Sequence, residues 1–260
     1  MINSLMISKT GMQAQQMKLD VISNNLANVA TTGFKRANAV FEDLMYQNLR
    51  QVGANTAEQA TLPTGLQVGL GVRTVATARN FTQGTVQQSD NTLDVAINGN
   101  GFFQVEMPDG TTAYSRDGSF KADAQGRIVT NSGFPLTAGI TIPAGAQGIT
   151  ISADGVVTAK MPGTTTPQPI GNIELASFIN PAGLEPLGQN LFAESVASGA
   201  PINGAPNSVG MGSLMQGYTE GSNVNVVQEL VEMIGTQRAY EMNSKAIQTS
   251  DQMLQRLSQL

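Results

Sequence analysis

The sequence predicts an α+β protein. Discontinuous N- and C-terminal coiled-coil helices flank a central antiparallel β-rich domain, and an extended arm lies between. Three observations carry this expectation: apolar residues recur every seven positions at both ends of the 260-residue chain, short alternating runs separated by Asp-Gly pairs fill the middle, and residues 46–80 follow neither pattern. The expected division is 1–33 with 222–260 as a helical domain, 85–199 as an outer β-rich domain, and 34–84 with 200–221 as a connecting region that includes the arm at 46–73.

In the first segment Leu5, Met12, Leu19 and Leu26 fall seven apart, and Ile22 and Val29 add the three-residue partner spacing. Ser8 and Gln15 stand earlier in that partner row, so the seam is half polar. No proline interrupts residues 1–33, and Gly33 offers a left-handed C-terminal cap. The last segment mirrors the first. Val226, Met233, Tyr240, Ile247 and Leu254 fall seven apart with Leu230 nearby, and Ala239, Ala246, Met253 and Leu260 form an adjoining row. Asn225 with Gln228 resembles a capping box, and Glu229 and Glu232 sit where the helix dipole favours anions, which predicts a helix from about Val226 to the end.

The middle reads as strands: LDVAI (93–97), GFFQV (101–105), RIVT (127–130), ITI (149–151) and IELASF (173–178). Asp109-Gly110, Asp117-Gly118 and Asp154-Gly155 are pairs favoured in tight turns. MPGTTTPQP (161–169) reads as a surface loop. In residues 46–80 the apolar side chains, including Tyr46, Leu49, Leu62 and Leu66, are too scattered for a helix, so the segment reads as a linker or an arm packed on something else.

Composition excludes several functions. A net charge of −5 without any basic run argues against nucleic acid as a partner. The absence of Cys and His removes disulfides, thiolate or imidazole metal sites and every His-dependent triad. Few aromatics and no Trp argue against a stacking platform for sugars or bases. The N-terminus has no apolar h-region, and no segment approaches the length of a membrane span. Asn98–Phe103 contains Gly-x-Gly, but no further glycine and no helix follow as a dinucleotide site requires, so a turn or bulge is the expected role. Asp109, Asp117, Asp123 and Asp154 lack calcium-loop spacing and each has a turn role available. No catalytic residue, cofactor, metal or small-molecule substrate is expected.

ISNNLANVATTGFKR (22–36) places Asn24, Asn25 and Asn28 within five positions, although asparagine is a poor helix former. Facing water near a fraying helix end is the common fate of such residues. Lateral hydrogen bonds that fix register between chains are the alternative, and the clustering favours it. The two seams allow a helical hairpin within one chain, packed on the β domain. Their narrowness instead suits helices packed among many equivalent neighbours. Methionines at 6, 12, 17, 233, 242 and 253 suit packing against non-identical surfaces.

SNNLANVATTGFKR (23–36), SNVNVVQELVEMIGTQRAYEMNSKAIQTSDQML (222–254), LDVAINGNGFFQV (93–105) and YSRDGSF (114–120) together resemble the axial proteins of the bacterial flagellum, the rod and hook family. The chain length and the segment 41–73 resemble the members of the distal rod. The resemblance implies a structural subunit that polymerises with itself into a straight, rigid drive shaft around an export channel, with terminal helices inside and the β domain outside. It implies proximal rod proteins, the hook protein and the ring bushing proteins as neighbours. It also implies passage through the flagellar type III export apparatus without a cleaved signal peptide, and an arm that braces adjacent subunits. A hook or proximal rod protein is the alternative within the family. Outside it stand a cell-wall-acting glycosidase, for which no carboxylate pair is singled out by spacing, and an adhesin-like module on a coiled-coil stalk.

Overall fold

The computed structural model describes residues 2–50, 55–57, 60–61, 64–163 and 166–257. The class is the expected one: two long helices at the ends and antiparallel strands between them. The chain divides into two compact units, one of residues 1–27, 37–78 and 225–260, the other of residues 28–36 and 79–224.

In the first unit the helices α1 (Ile2–Ala27) and α2 (Val226–Leu257) pack against each other. Helix α1 ends six residues before Gly33. The reason is local: Asn28 accepts from the Thr31 amide (3.2 Å) and, through its side chain, from the Thr31 hydroxyl (3.1 Å), closing a turn that competes with the helix. Gly33 is left-handed (φ 69°) but caps no helix, and its amide donates to the Glu220 carbonyl at 2.8 Å. Asn225 does cap α2, accepting from the amides of Val227 (3.1 Å) and Gln228 (3.2 Å). The reciprocal half of the capping box is missing, because the Gln228 amide donates forward to Glu232 instead.

The arm has structure of its own. Tyr46–Arg50 pairs antiparallel with Leu66–Gly69, with a bulge between Asn48 and Arg50, and Asn55–Ala57 pairs with Ala60–Thr61 further out. Strands Ala37–Asp43 and Val72–Arg79 pair at its base. Of the two readings, linker or arm, the segment is an arm, and it is built as a β-ribbon. Its glycines and sparse apolar residues hid the alternation, because a two-stranded ribbon without a core needs little of it.

The second unit is built on a six-stranded antiparallel sheet in the order Glu185–Gly188, Leu191–Ala193, Thr112–Ser115, Phe102–Glu106, Leu175–Ser177, Ile202–Gly204. Both faces are covered. Phe103, Val105, Ala113, Leu175 and Leu191 point into one apolar cluster, while their chain neighbours Phe102, Tyr114, Ala176 and Phe192 point into another. That two-sided burial explains the adjacent Phe102-Phe103 pair. A three-stranded sheet, Gly148–Ile151, Val156–Lys160 and Gln168–Asn172, lies beside it in sequence. Its last strand begins within the segment expected to be only a loop.

The unit reaches beyond 85–199 because later residues return to it. Ser213–Gln216 pairs with Val95–Asn98, and Tyr218–Glu220 with Val86–Gln88. Asp109-Gly110 and Asp154-Gly155 turn the chain between paired strands as expected, whereas Asp117-Gly118 lies in an irregular stretch after Thr112–Ser115. Asp109 accepts from the Thr111 hydroxyl (2.6 Å) and amide (3.0 Å), and the hydroxyl bond above all holds its carboxyl below the ordinary aspartate range. Asp117 and Asp123 bond their own turns in the same way. Gly118 carries a stronger constraint, since a Cβ there would lie 1.7 Å from the Val95 carbonyl oxygen. Gly118→Ala is expected to destabilise this unit by about 3 kcal/mol, the upper end of overpacking costs, read as a lowered urea midpoint.

Candidate functional site: an assembly interface

The deeply buried residues of α1 and α2 are, Ile22 apart, not those of the apolar rows. The buried residues on α1 are Ser8, Ala14, Ile22 and Asn25, and on α2 they are Glu229 and Thr236. A Cβ on Gly11 would stand 3.0 Å from the Asn243 amide nitrogen, so the helices approach closely there. Small and polar side chains permit this approach, and among the described residues of the two helices only Ala14 and Ile22 are buried apolar ones.

The predicted rows flank this seam. Leu5, Met12, Leu19, Leu26, Met233 and Ile247 are half-buried, as is Val29 in the second unit. Val226, Leu230, Tyr240 and Leu254 are exposed, at 37–42%. Sequence reasoning missed three exposed apolar residues near the start of α2: Val227 (71%), Val231 (64%) and Ile234 (52%). At 100° per residue these three lie roughly opposite Glu229 and Thr236. Val226, Val227, Leu230, Val231, Met233 and Ile234 form one broad apolar face beside Gln228, Glu229 and Glu232, and that width was the available signal. In the lone subunit this face is exposed or half-buried, while Glu229 and Thr236 are buried.

The asparagines part company. Asn24 is exposed, and Asn28 lies in the turn after α1. Asn25 is 1% exposed and bonded within the chain: its amide donates to Glu229 (3.2 Å) and to the Ala37 carbonyl (2.8 Å), and its oxygen accepts from the Ala37 amide (3.0 Å). The lateral role expected of Asn25 is therefore corrected. It fixes the register of α1, α2 and the following strand in one subunit. Lys18 and Glu232 add a looser ion pair at 3.9 Å.

In the arm, Tyr46 (53%), Leu49 (59%) and Leu66 (55%) are exposed, and Met45 beside them reaches 82%. Leu62 lies outside the described residues. The ribbon base meets α1, where the Val72 amide donates to the Thr10 hydroxyl (3.4 Å) and Asn3 to Gln47 (3.3 Å). No described helix is long and apolar enough to cross a membrane, and among the described residues no cluster of acidic side chains could hold a metal ion.

Helices that bury polar residues against each other and expose apolar ones define a protein made for assembly. Three family profiles cover the same elements: "Flagella basal body rod protein" matches residues 5–35, "Flagellar hook protein FlgE/F/G D1 domain" 96–159 and "Flagellar basal body rod FlgEFG protein C-terminal" 215–260. The chain is 58% identical over 260 residues to the flagellar basal-body rod protein FlgG of Buchnera aphidicola subsp. Acyrthosiphon pisum, covering all of both chains. It is 48% identical to that of Caulobacter vibrioides (100% of this chain, 99% of the relative) and 39% identical to that of Bacillus subtilis (100% and 99%). The chain belongs to the flagellar basal-body rod protein family. It is a structural protein of the bacterial flagellum and not an enzyme, which sets aside the glycosidase and adhesin readings.

Proposed function

We propose that the chain polymerises with itself into the rigid distal rod of the basal body, transmitting torque and surrounding the export channel. The observation that carries this is the exposed apolar face of α2 at Val227, Val231 and Ile234 in a pair whose internal seam is largely polar. Long helices that bury so little apolar surface gain little to offset their ordering entropy. Neighbouring subunits complete the burial, so the terminal helices order as the polymer grows. Leu5, Met12, Leu19, Leu26, Val226, Leu230, Met233, Tyr240, Ile247 and Leu254 face those neighbours, and Asn24 and Asn28 serve the contacts between chains.

Proximal rod proteins, the hook protein and the ring bushing proteins adjoin the polymer, and the subunit arrives through the type III export apparatus. The arm braces adjacent subunits through Tyr46, Leu49 and Leu66, whose exposure on a two-stranded ribbon calls for a partner. Immunogold electron microscopy of basal bodies from cells whose only copy is epitope-tagged tests the assignment. Label along the distal rod is expected, and label confined to the hook or the proximal rod contradicts it.

Asn25→Ala leaves the Ala37 backbone groups without their side-chain partner. Each buried group left unsatisfied costs about 1–3 kcal/mol. The lowest concentration that supports polymer should rise on the order of tenfold to a hundredfold, measured by sedimentation, with unfolding of the β unit unchanged.

A further inference from the structure

Lys35, Arg116 and Glu220 are buried together in the second unit, at 0%, 4% and 1% exposure. The Lys35 ammonium donates to Glu220 Oε1 (2.7 Å) and to the Thr82 carbonyl (2.9 Å). Arg116 donates through Nη1 to Glu220 Oε2 (3.3 Å) and through Nη2 to the Gly99 carbonyl (2.7 Å), and the Gly84 amide donates to Glu220 Oε1 (2.8 Å). One carboxylate thus serves two cations in a site closed to water. Burial pulls the Lys35 ammonium below the ordinary lysine range, against the opposing charge and hydrogen bond of Glu220.

The three residues come from distant parts of the chain, Lys35 and Glu220 being 185 positions apart. The strands that carry Glu220 to its place are themselves part of the fold. Ser213–Gln216 covers Val95–Asn98, whose Val95, Ala96 and Ile97 are almost fully buried, and Leu214 fills the same core. Until Glu220 arrives, Lys35 and Arg116 would be two buried cations without the carboxylate that both are bonded to.

We propose that this hub is a closure latch: the β unit becomes stable only when the N-terminal segment bearing Lys35 and the C-terminal segment bearing Glu220 are both seated, so its folding waits for both ends of the chain. A subunit threaded or synthesised end-first stays open until the last fifth of its sequence is present. This inference does not depend on the rod reading.

Hydrogen exchange on full-length Glu220→Gln tests it, with exposed Glu185→Gln as the charge control. Protection should fall on the order of a hundredfold to a thousandfold, the scale of stripping one partner from a buried ion pair, throughout Val95–Asn98, Phe102–Glu106, Thr112–Ser115 and Leu175–Ser177. Loss confined to residues 82–88 and 217–220 overturns the latch, because those segments would then only fray. Adding Lys35→Met to Glu220→Gln removes one uncompensated cation and should restore part of the protection. If Glu220→Gln alone does not fold, the double variant decides: a folded double variant supports the latch, and an unfolded one refutes its charge basis.

Discussion

A chain carrying Val231→Asp and Ile234→Asp is expected to stay monomeric at concentrations where the natural chain forms rods. Both side chains lie on the outward, mostly exposed face of α2, so the substitutions remove little contact within the subunit, and the helix still begins at its Asn225 cap. In the polymer each would be buried, and burial of a Val or Ile side chain contributes about 1.5–3 kcal/mol. A carboxylate forced into the same contact adds a desolvation cost. The threshold concentration for assembly should rise on the order of a hundredfold or more, seen by sedimentation and electron microscopy. Gln248→Asp, exposed on a later and more polar stretch of the same helix, is the control and should assemble. Rods at the natural threshold from the double variant would place the assembly contact elsewhere.

Phe103→Ala is the largest expected loss within the subunit. Phe103 has no exposed surface, sits on an inner strand of the six-stranded sheet, and meets the Phe120 ring edge-on at 5.0 Å. It faces Ser115 on one side and Leu175 on the other. Truncation empties the middle of the larger cluster, at a cost of about 3–5 kcal/mol. Equilibrium urea unfolding should show that loss in the midpoint with the slope unchanged. A shift below about 1 kcal/mol would mean that the core collapses around the gap. The hub makes a contrasting expectation. Lys35→Met leaves Glu220 paired with Arg116 and should cost less than Glu220→Gln, because one carboxylate then still faces one cation and no buried charge loses its only counter-charge.

The ends and the middle of the fold were legible for different reasons. Seven-residue spacing located both helices, and Asn225 marked the start of α2, because helix periodicity and capping are local. The strands around Val95, Phe102 and Leu175 were legible from dense alternation. Those at 185–188, 191–193 and 202–204 were missed because they are short, and 191–193 and 202–204 are defined by pairing with strands far along the chain. The hub was invisible for the same reason. A lysine at 35 and a glutamate at 220 each read as a solvated surface charge until the topology brings them to 2.7 Å.

The candidate site was half legible. Sequence spacing identified the apolar rows and read them as the assembly interface, but it did not single out Ser8, Glu229 and Thr236, which are buried within the subunit. Periodicity says which residues share a face and not which face the partner takes. In the outward patch Val227 and Ile234 are seven apart, but the row stops at Glu241, so its meaning rests on burial.

Hydrogen exchange on the full chain, dilute and then polymerised, tests most directly whether the terminal helices order with assembly. Rapid exchange is expected over residues 2–27 and 226–257 in the dilute chain beside a protected 95–178, with the ends becoming protected in the rod. Protected ends at high dilution would mean a self-sufficient helical hairpin, and would contradict ordering by assembly even though the family assignment stands.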